Sequence, residues 1–157
     1  MVDFIQVAVS GLLLGGIYAL LSVGLTLIFG VVRIINFAHG ELLMIGMYLS
    51  YFIFVSWGLN PYFSVFLVAP ALFIVGIVIQ RLVIQPIQEA SAMMKVFATC
   101  GLFIALQNLA LMLFRGDYRN VQMAISMATL NISGISVSLP RLLAFVAALI
   151  IFGALYL

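Results

Sequence analysis

Apolar residues run together in long stretches along this chain, and short polar segments separate the stretches. A helix needs about 20 apolar residues to cross a bilayer, whereas a membrane β-barrel shows alternating segments of about ten residues. The pattern therefore predicts an all-α integral membrane protein with about five transmembrane helices, at 4–29, 42–57, 62–80, 96–114 and 142–157. The fifth stretch reaches the last residue without a terminating signal. We therefore expect the last helix to be cut off and the chain to be a fragment of a longer protein.

The period of the pattern changes between the fourth and fifth stretches. Large apolar residues alternate with small or polar residues at 121–128 and again at 135–139. A period of two is typical of strands, and the residues between them, 129–134, are expected to form the reversal. This predicts a small β-hairpin outside the bilayer.

Composition agrees with a lipid-facing protein. The chain is 67% hydrophobic and 6% charged, against about 25% charged residues in soluble domains. No basic cluster is present, which excludes a nucleic-acid-binding surface. If the connections alternate sides, three basic residues fall on each side of the membrane, so the positive-inside rule leaves the orientation undecided.

The segment at residues 24–47 contains a dense group of polar side chains, with apolar sequence on both sides. It contains the only histidine of the chain, His39, together with Arg33 and Glu41. Each such group is costly beside lipid unless it finds a partner or water. A chain that places these groups here is expected to use them.

Local signals in this segment predict a helix end, a polar bend and a new helix start. Asn36 is expected to cap the new helix, and Glu41 would stabilise its first turn. Gly30, Gly40 and Gly46 permit backbone bends and close helix contacts. Two interpretations stay open: a helix break beside a cavity, as transporters use, or an ordinary cytoplasmic turn with a solvated arginine.

The first stretch carries two patterns at helical spacing. Gly11 and Gly15 form a Gly-x-x-x-Gly pair, which predicts close packing against a neighbouring helix. Tyr18, Ser22 and Thr26 follow at four-residue spacing and share one face. Their hydroxyls are expected either to form hydrogen bonds between helices or to line a pathway.

The fourth stretch contains Thr99, Gln107 and Asn108 at membrane depth. Polar groups there should face protein rather than lipid. Gln107 and Asn108 are therefore predicted to be partners between spans.

Helix boundaries are marked by proline and capping residues. Asn60 suits an N-cap and Pro61 the first helical position. Pro70 lies inside the third stretch and predicts a kink. Pro86 predicts a break together with Gln85, and Ser91 is expected to cap the fourth helix.

Motifs for catalysis are missing from the sequence. It contains no Gly-x-x-x-x-Gly-Lys-Ser/Thr phosphate loop, so the chain does not hydrolyse ATP by that route. It has no His-Glu-x-x-His or paired-cysteine pattern, and one histidine cannot build a histidine-rich metal site. We expect a transport subunit with no catalytic residue, no metal and no cofactor.

Several blocks of the sequence, taken together, resemble the permeases of branched-chain amino acid ABC importers. The blocks lie at 16–20, 24–30, 35–41, 107–111 and 132–143. The block Asn-Phe-Ala-His-Gly-Glu at 36–41 is the most recognisable of them. The resemblance covers nearly the whole chain but only the first half of such a permease.

The resemblance implies a multi-pass subunit of the inner membrane that transports leucine, isoleucine and valine. Its implied partners are a second homologous permease, two cytoplasmic ATP-binding subunits and a periplasmic substrate-binding protein. It also implies that the segment around Arg33 is cytoplasmic and the hairpin periplasmic. Asn36, His39, Gly40 and Glu41 are the expected gate or pathway residues. The alternatives are a permease for urea or short amides and an ion-coupled secondary transporter.

Overall fold

The computed structural model describes residues 2–117, 119–121, 128–132 and 135–156. Its elements in chain order are α1 (Val2–Val32), α2 (His39–Trp57), α3 (Pro61–Ile79), α4 (Ala92–Phe114), β1 (Thr129–Ile132), β2 (Ile135–Ser138) and α5 (Leu139–Tyr156). Among these residues, four helical stretches are long and apolar enough to cross a membrane, and the apolar part of α5 is shorter. The predicted class, a helical membrane protein with a small hairpin before its last helix, is confirmed.

The helical stretch that contains α3 continues past its predicted end. Its backbone changes to a wider π-helical turn at Gln80–Ile84 and then to a tight 3-10 turn at Gln85–Ile87. The break predicted at Gln85 and Pro86 is therefore wrong. Pro86 occupies the first turn of the 3-10 segment, where a missing backbone N–H leaves no bond unmade. Pro70 lies inside α3, and the kink there stays a prediction.

Caps fix the turns on both sides of α3. Gly58 takes a left-handed conformation, φ 65°, at the end of α2. The Asn60 side chain then accepts a hydrogen bond from the backbone N–H of Tyr62 at 3.0 Å, with Pro61 in the first turn. The Ser91 side chain likewise accepts a hydrogen bond from a backbone N–H of α4 at 3.4 Å. These predicted caps are confirmed.

The hairpin lies later in the sequence than predicted. Its two strands pair antiparallel, with Leu130 opposite Val137 and Asn131 opposite Ser136. Residues 129–132 were expected to form the reversal, and they are the first strand instead, since Thr129–Ile132 also alternates polar and apolar residues. Of the strand predicted at 121–128, residues 122–127 lie outside the described residues.

Residues 1–26 and 121–157 form one compact unit. In it the Gln6 side chain bonds both backbone groups of Ser136, accepting from its N–H at 2.8 Å and donating to its carbonyl at 2.7 Å. This pair ties α1 to the hairpin. Further along α1, Gly16 lies against Phe145 of α5 so closely that a Cβ at Gly16 would overlap the ring.

Residues 27–120 form a second compact unit. Ser64 of α3 donates to the carbonyl of Pro61 at 2.7 Å and lies 2.8 Å from the hydroxyl of Ser50 in α2. Because the Ser64 proton is already used, Ser50 is the donor between the helices. Gly46 allows the same two helices to approach, since a Cβ there would lie 3.0 Å from Leu72. The close contact predicted for Gly46 is confirmed.

We predict that Gly16→Leu destabilises the protein, because the added side chain cannot fit against Phe145. Overpacking of this kind costs about 1–3 kcal/mol, and it should lower the thermal midpoint of the intact permease in detergent. Gly153→Leu, in α5, is the matched control, since no described atom lies within 4 Å of a Cβ at Gly153. Equal midpoints for the two variants would contradict the contact.

Candidate functional site

The chain leaves helix α1 at an arginine. Arg33 has a left-handed backbone, φ 54°, and its N–H donates to the carbonyl of Phe29 at 2.8 Å. This conformation costs a residue other than glycine about 1–2 kcal/mol. Gly30, where a bend was expected, is inside the helix. The change of direction therefore lies three residues later than the glycine suggested.

Residues 33–38 are not helical, and their burial alternates with a period of two. Ile34, Asn36 and Ala38 are buried, and the residues between them are exposed. Ile34 packs into a core cluster with Ile79, the last residue of α3, and Ile84, the last residue of the π-helical turn. The broken segment is therefore anchored against α3 through Ile34.

Asn36 stabilises the broken segment, although not as the predicted cap. Its Oδ1 accepts a hydrogen bond from the N–H of Ala38 at 3.1 Å, and its carbonyl accepts from the N–H of His39 at 3.2 Å. Helix α2 begins at His39, so Ala38 is the N-cap residue, without a side-chain cap. The prediction that Asn36 caps α2 is thus wrong. Asn36 forms a turn of the Asx type two residues earlier.

Thr99 of α4 satisfies a carbonyl that the break leaves without a helical partner. Its hydroxyl lies 3.1 Å from the carbonyl oxygen of Ile35, and also 3.1 Å from two carbonyl oxygens of its own helix. Thr99 is completely buried. One hydroxyl carries a single proton, so the Ile35 carbonyl shares this donor with the two carbonyls of α4, and the contact links α4 to the broken segment. The prediction that Thr99 faces protein is confirmed.

Glu41 and His39 place unpaired polar atoms at the start of α2. Glu41 is buried, and neither its Oε2 nor Nδ1 of His39 has a hydrogen-bond partner among the described residues. Two residues apart on a helix, the side chains point about 200° away from each other. They therefore face different surroundings and do not form an acid–base pair. Gly40 between them leaves open space, since no described atom lies within 4 Å of a Cβ there.

A cavity of about 380 Å³ lies beside the break, within residues 27–84. Its wall is mostly aliphatic, and Asn36 and Gln80 are its polar lining residues. Gln80 is the first residue of the π-helical turn, and such turns are frequent at functional sites. An apolar cavity with two neutral amides suits a solute with an apolar side chain.

The polar face predicted on α1 forms its described hydrogen bonds inside that helix. Ser22 donates to the carbonyl of Tyr18 at 2.8 Å, and Thr26 donates to the carbonyl of Ser22 at 2.7 Å. Tyr18 is exposed. A role of these residues between helices or along a pathway stays a prediction.

The other predicted polar and packing residues are also exposed. Gln107 and Asn108 lie on the surface of α4, and Asn108 donates to the carbonyl of Ile104 in its own helix at 2.8 Å. Gly11 and Gly15 have no described atom within 4 Å of a Cβ position. Their roles as partners between helices stay predictions, and these surfaces are open in the described chain.

Comparison with known proteins identifies the family. The family model described as "Branched-chain amino acid transport system / permease component" matches residues 7–157. The chain belongs to this family. The resemblance found in the sequence is confirmed, and membership identifies a transport subunit rather than an enzyme, a multi-pass protein of the cell inner membrane.

Three named relatives are high-affinity branched-chain amino acid transport system permease proteins. LivH of Salmonella typhimurium is 33% identical over 113 residues, which cover 67% of this chain and 37% of the relative. LivH of Escherichia coli has the same identity and coverage. BraD of Pseudomonas aeruginosa is 32% identical over 113 residues, again 37% of its length. The chain thus covers little more than a third of these relatives, and no solved structure matches it significantly.

We predict that Thr99→Val loosens the broken segment, because the carbonyl of Ile35 loses its donor. Loss of the bond should destabilise the closed segment by about 1–3 kcal/mol and accelerate tryptic cleavage after the exposed Arg33. The measurement is the cleavage rate of the intact permease in detergent, followed by mass spectrometry. Thr26→Val is the control, since its hydroxyl bonds only its own helix among the described contacts. Equal cleavage rates would contradict the role of Thr99.

Proposed function

We propose that this chain forms part of the membrane-spanning permease of an ATP-binding cassette importer that carries leucine, isoleucine and valine across the inner membrane. The supporting observation is the helix break at residues 33–38, whose backbone is held by Thr99 and whose Asn36 borders a cavity. The names of the relatives point to the same substrates.

The break suits a moving part of a transporter. Irregular backbone is tolerated at membrane depth only where it is buried in protein or lines a cavity. Transporters place such breaks next to the substrate, where freed backbone groups can bind it or form a gate. Asn36, His39, Gly40 and Glu41 form the gate in this proposal. The segment that carries them is attached to the core through Ile34.

The substrate suggested by this environment is a small zwitterion with an apolar side chain. The aliphatic wall of the cavity beside the break accommodates such a side chain, and its two amides carry no charge. Unmatched fixed charges in a low-dielectric passage would hold an ammonium or a carboxylate too strongly for release.

In this proposal the transporter requires further subunits. We assign it a second homologous permease, two cytoplasmic ATP-binding subunits and a periplasmic substrate-binding protein, with this chain as the N-terminal part of one permease domain. The unpaired atoms of Glu41 and His39 support contacts beyond this chain, because buried polar atoms normally have hydrogen-bond partners.

The test is uptake of labelled solute into proteoliposomes that contain the complete transporter. We expect leucine uptake that depends on ATP and on the binding protein, and little uptake of labelled urea. Faster uptake of urea than of leucine would favour an amide permease. Uptake driven by an ion gradient without ATP would overturn the ABC mechanism.

We predict that Glu41→Gln and His39→Ala each lower the initial rate of leucine uptake by about 5–30-fold, the equivalent of about 1–2 kcal/mol for one lost polar interaction. Assembly of the complex, measured by co-purification, should change little. Glu89→Gln is the control, because Glu89 is exposed between α3 and α4. Uptake at the control rate in both gate variants would show that the segment is an ordinary turn.

A further inference from the structure

A second cavity lies between α2 and the end of α4, and the broken segment does not line it. Its volume is about 400 Å³, within the range of small-molecule sites. Unlike the aliphatic cavity, it combines both signs of charge with aromatic and thioether groups. Its lining includes Met44, Tyr48, Tyr51, Arg115, Asp117 and Arg119.

Arg119 is the most constrained of these residues. Its guanidinium carbon lies 5.5 Å from the ring centre of Tyr51 and 5.3 Å from that of Phe52. Its Nη2 donates to the carbonyl of Phe114 at 3.1 Å. Its Nε is buried and has no partner in the described part of the chain. A buried donor without an acceptor is costly, so an acceptor bound in the cavity would relieve this cost.

An aromatic cluster fixes the position of the guanidinium. Tyr48 stacks on Phe114 at 4.3 Å between ring centres, with 24° between the ring planes, and Phe52 lies 5.2 Å from Phe114. The rings that hold Arg119 are therefore packed against the end of α4. A guanidinium held in this way has lost much of its side-chain freedom before a ligand arrives.

The rim of the cavity is formed by an abrupt helix end. Arg115 is left-handed, φ 59°, and its N–H donates to the carbonyl of Leu111 at 2.9 Å. Arg115 and Asp117 are exposed, two residues apart. The turn at Arg115 therefore places the cation of Arg115 and the carboxylate of Asp117 at the rim of the cavity. The lining of the cavity also contains a second cation, Arg119.

The cavity lies along the face of α2 that starts at Glu41. Met44, Tyr48 and Tyr51 follow Glu41 at intervals of three, seven and ten residues, within about 80° of each other around the helix. The first of them is less than one helical turn from Glu41. The cavity and Glu41 of the proposed gate therefore share one helix face.

We propose that this cavity binds the zwitterionic head of an amino acid with an apolar side chain. Arg119 and Arg115 bind the carboxylate, Asp117 binds the ammonium group, and Met44 and Leu111 contact the side chain. Guanidinium groups bind carboxylates through strong charge-assisted hydrogen bonds, and methionine adapts to aliphatic groups of different shape. The inference rests on the proposed function, because it assigns that transporter a substrate site in this chain.

The test uses a cysteine reporter in the complete purified transporter, in detergent and without binding protein or ATP. The parent protein carries Cys100→Ala and Met47→Cys, because Met47 lines the cavity and is exposed. We expect saturating leucine to slow maleimide labelling at position 47 at least about threefold. Isopentylamine and 4-methylpentanoate lack the carboxylate and the amino group respectively, and at the same concentration neither should protect.

Two variants and one control test the assigned residues. Arg119→Gln and Asp117→Asn should each abolish protection by leucine. The exposed Asp117 has no described side-chain contact whose loss would unfold the protein. Arg81→Gln, an exposed arginine in the turn after α3 that does not line this cavity, should keep protection.

Several results would overturn the site. They are unchanged labelling of the parent in leucine, unchanged protection in Asp117→Asn, and equal protection by isopentylamine. Uptake by the parent transporter separates the two proposals. ATP-driven leucine uptake without protection overturns this site alone, whereas protection without uptake keeps the site and overturns the proposed function.

Discussion

The hydrogen bond from Thr99 to the carbonyl of Ile35 is the interaction on which the rest of the site depends. A chain surrounded by lipid cannot leave backbone groups unpaired, because no water reaches them. The backbone hydrogen bonds of α1 end with the helix, and the hydroxyl of Thr99 in α4 contacts the carbonyl of Ile35 beyond that end. Ile34 packs into the core cluster and anchors the same segment. The bend can therefore exist within a membrane protein without unfolding the helices on either side.

Two described helices end at an arginine with a positive φ, and each end borders a cavity. Arg33 and Arg115 both have the positive φ that glycine normally supplies. Each introduces a cation together with the turn, so charge and change of direction occur at one position. At the first end the cavity is aliphatic with two amides, and at the second it contains both signs of charge. The two cavities therefore differ in the chemistry that they offer to a solute.

Prediction from sequence worked best where the cause is local. Asn60 and Ser91 cap helices because their own side chains reach the next backbone N–H groups. Prediction was wrong where equivalent local signals compete. Gly30 stays helical while Arg33 turns, and Asn36 forms a turn instead of capping α2. The sequence contains no sign that Arg119 is a candidate site residue, because the aromatic rings beside it, Tyr51 and Phe52, lie more than 60 residues earlier in the chain.

The sequence by itself determined that this is a helical membrane protein, where its spans lie approximately, and which permease family it belongs to. Those properties follow from stretches of apolar residues and from short blocks, which act over one or two helical turns. Only the tertiary structure decided which polar groups have hydrogen-bond partners and which have none among the described residues. Thr99 and Asn108 are both polar residues of α4, yet Thr99 reaches the broken segment as well as its own helix, whereas the described hydrogen bond of Asn108 stays within its own helix. That difference depends on which neighbour packs against each face of the helix, and a single helix does not encode its neighbours.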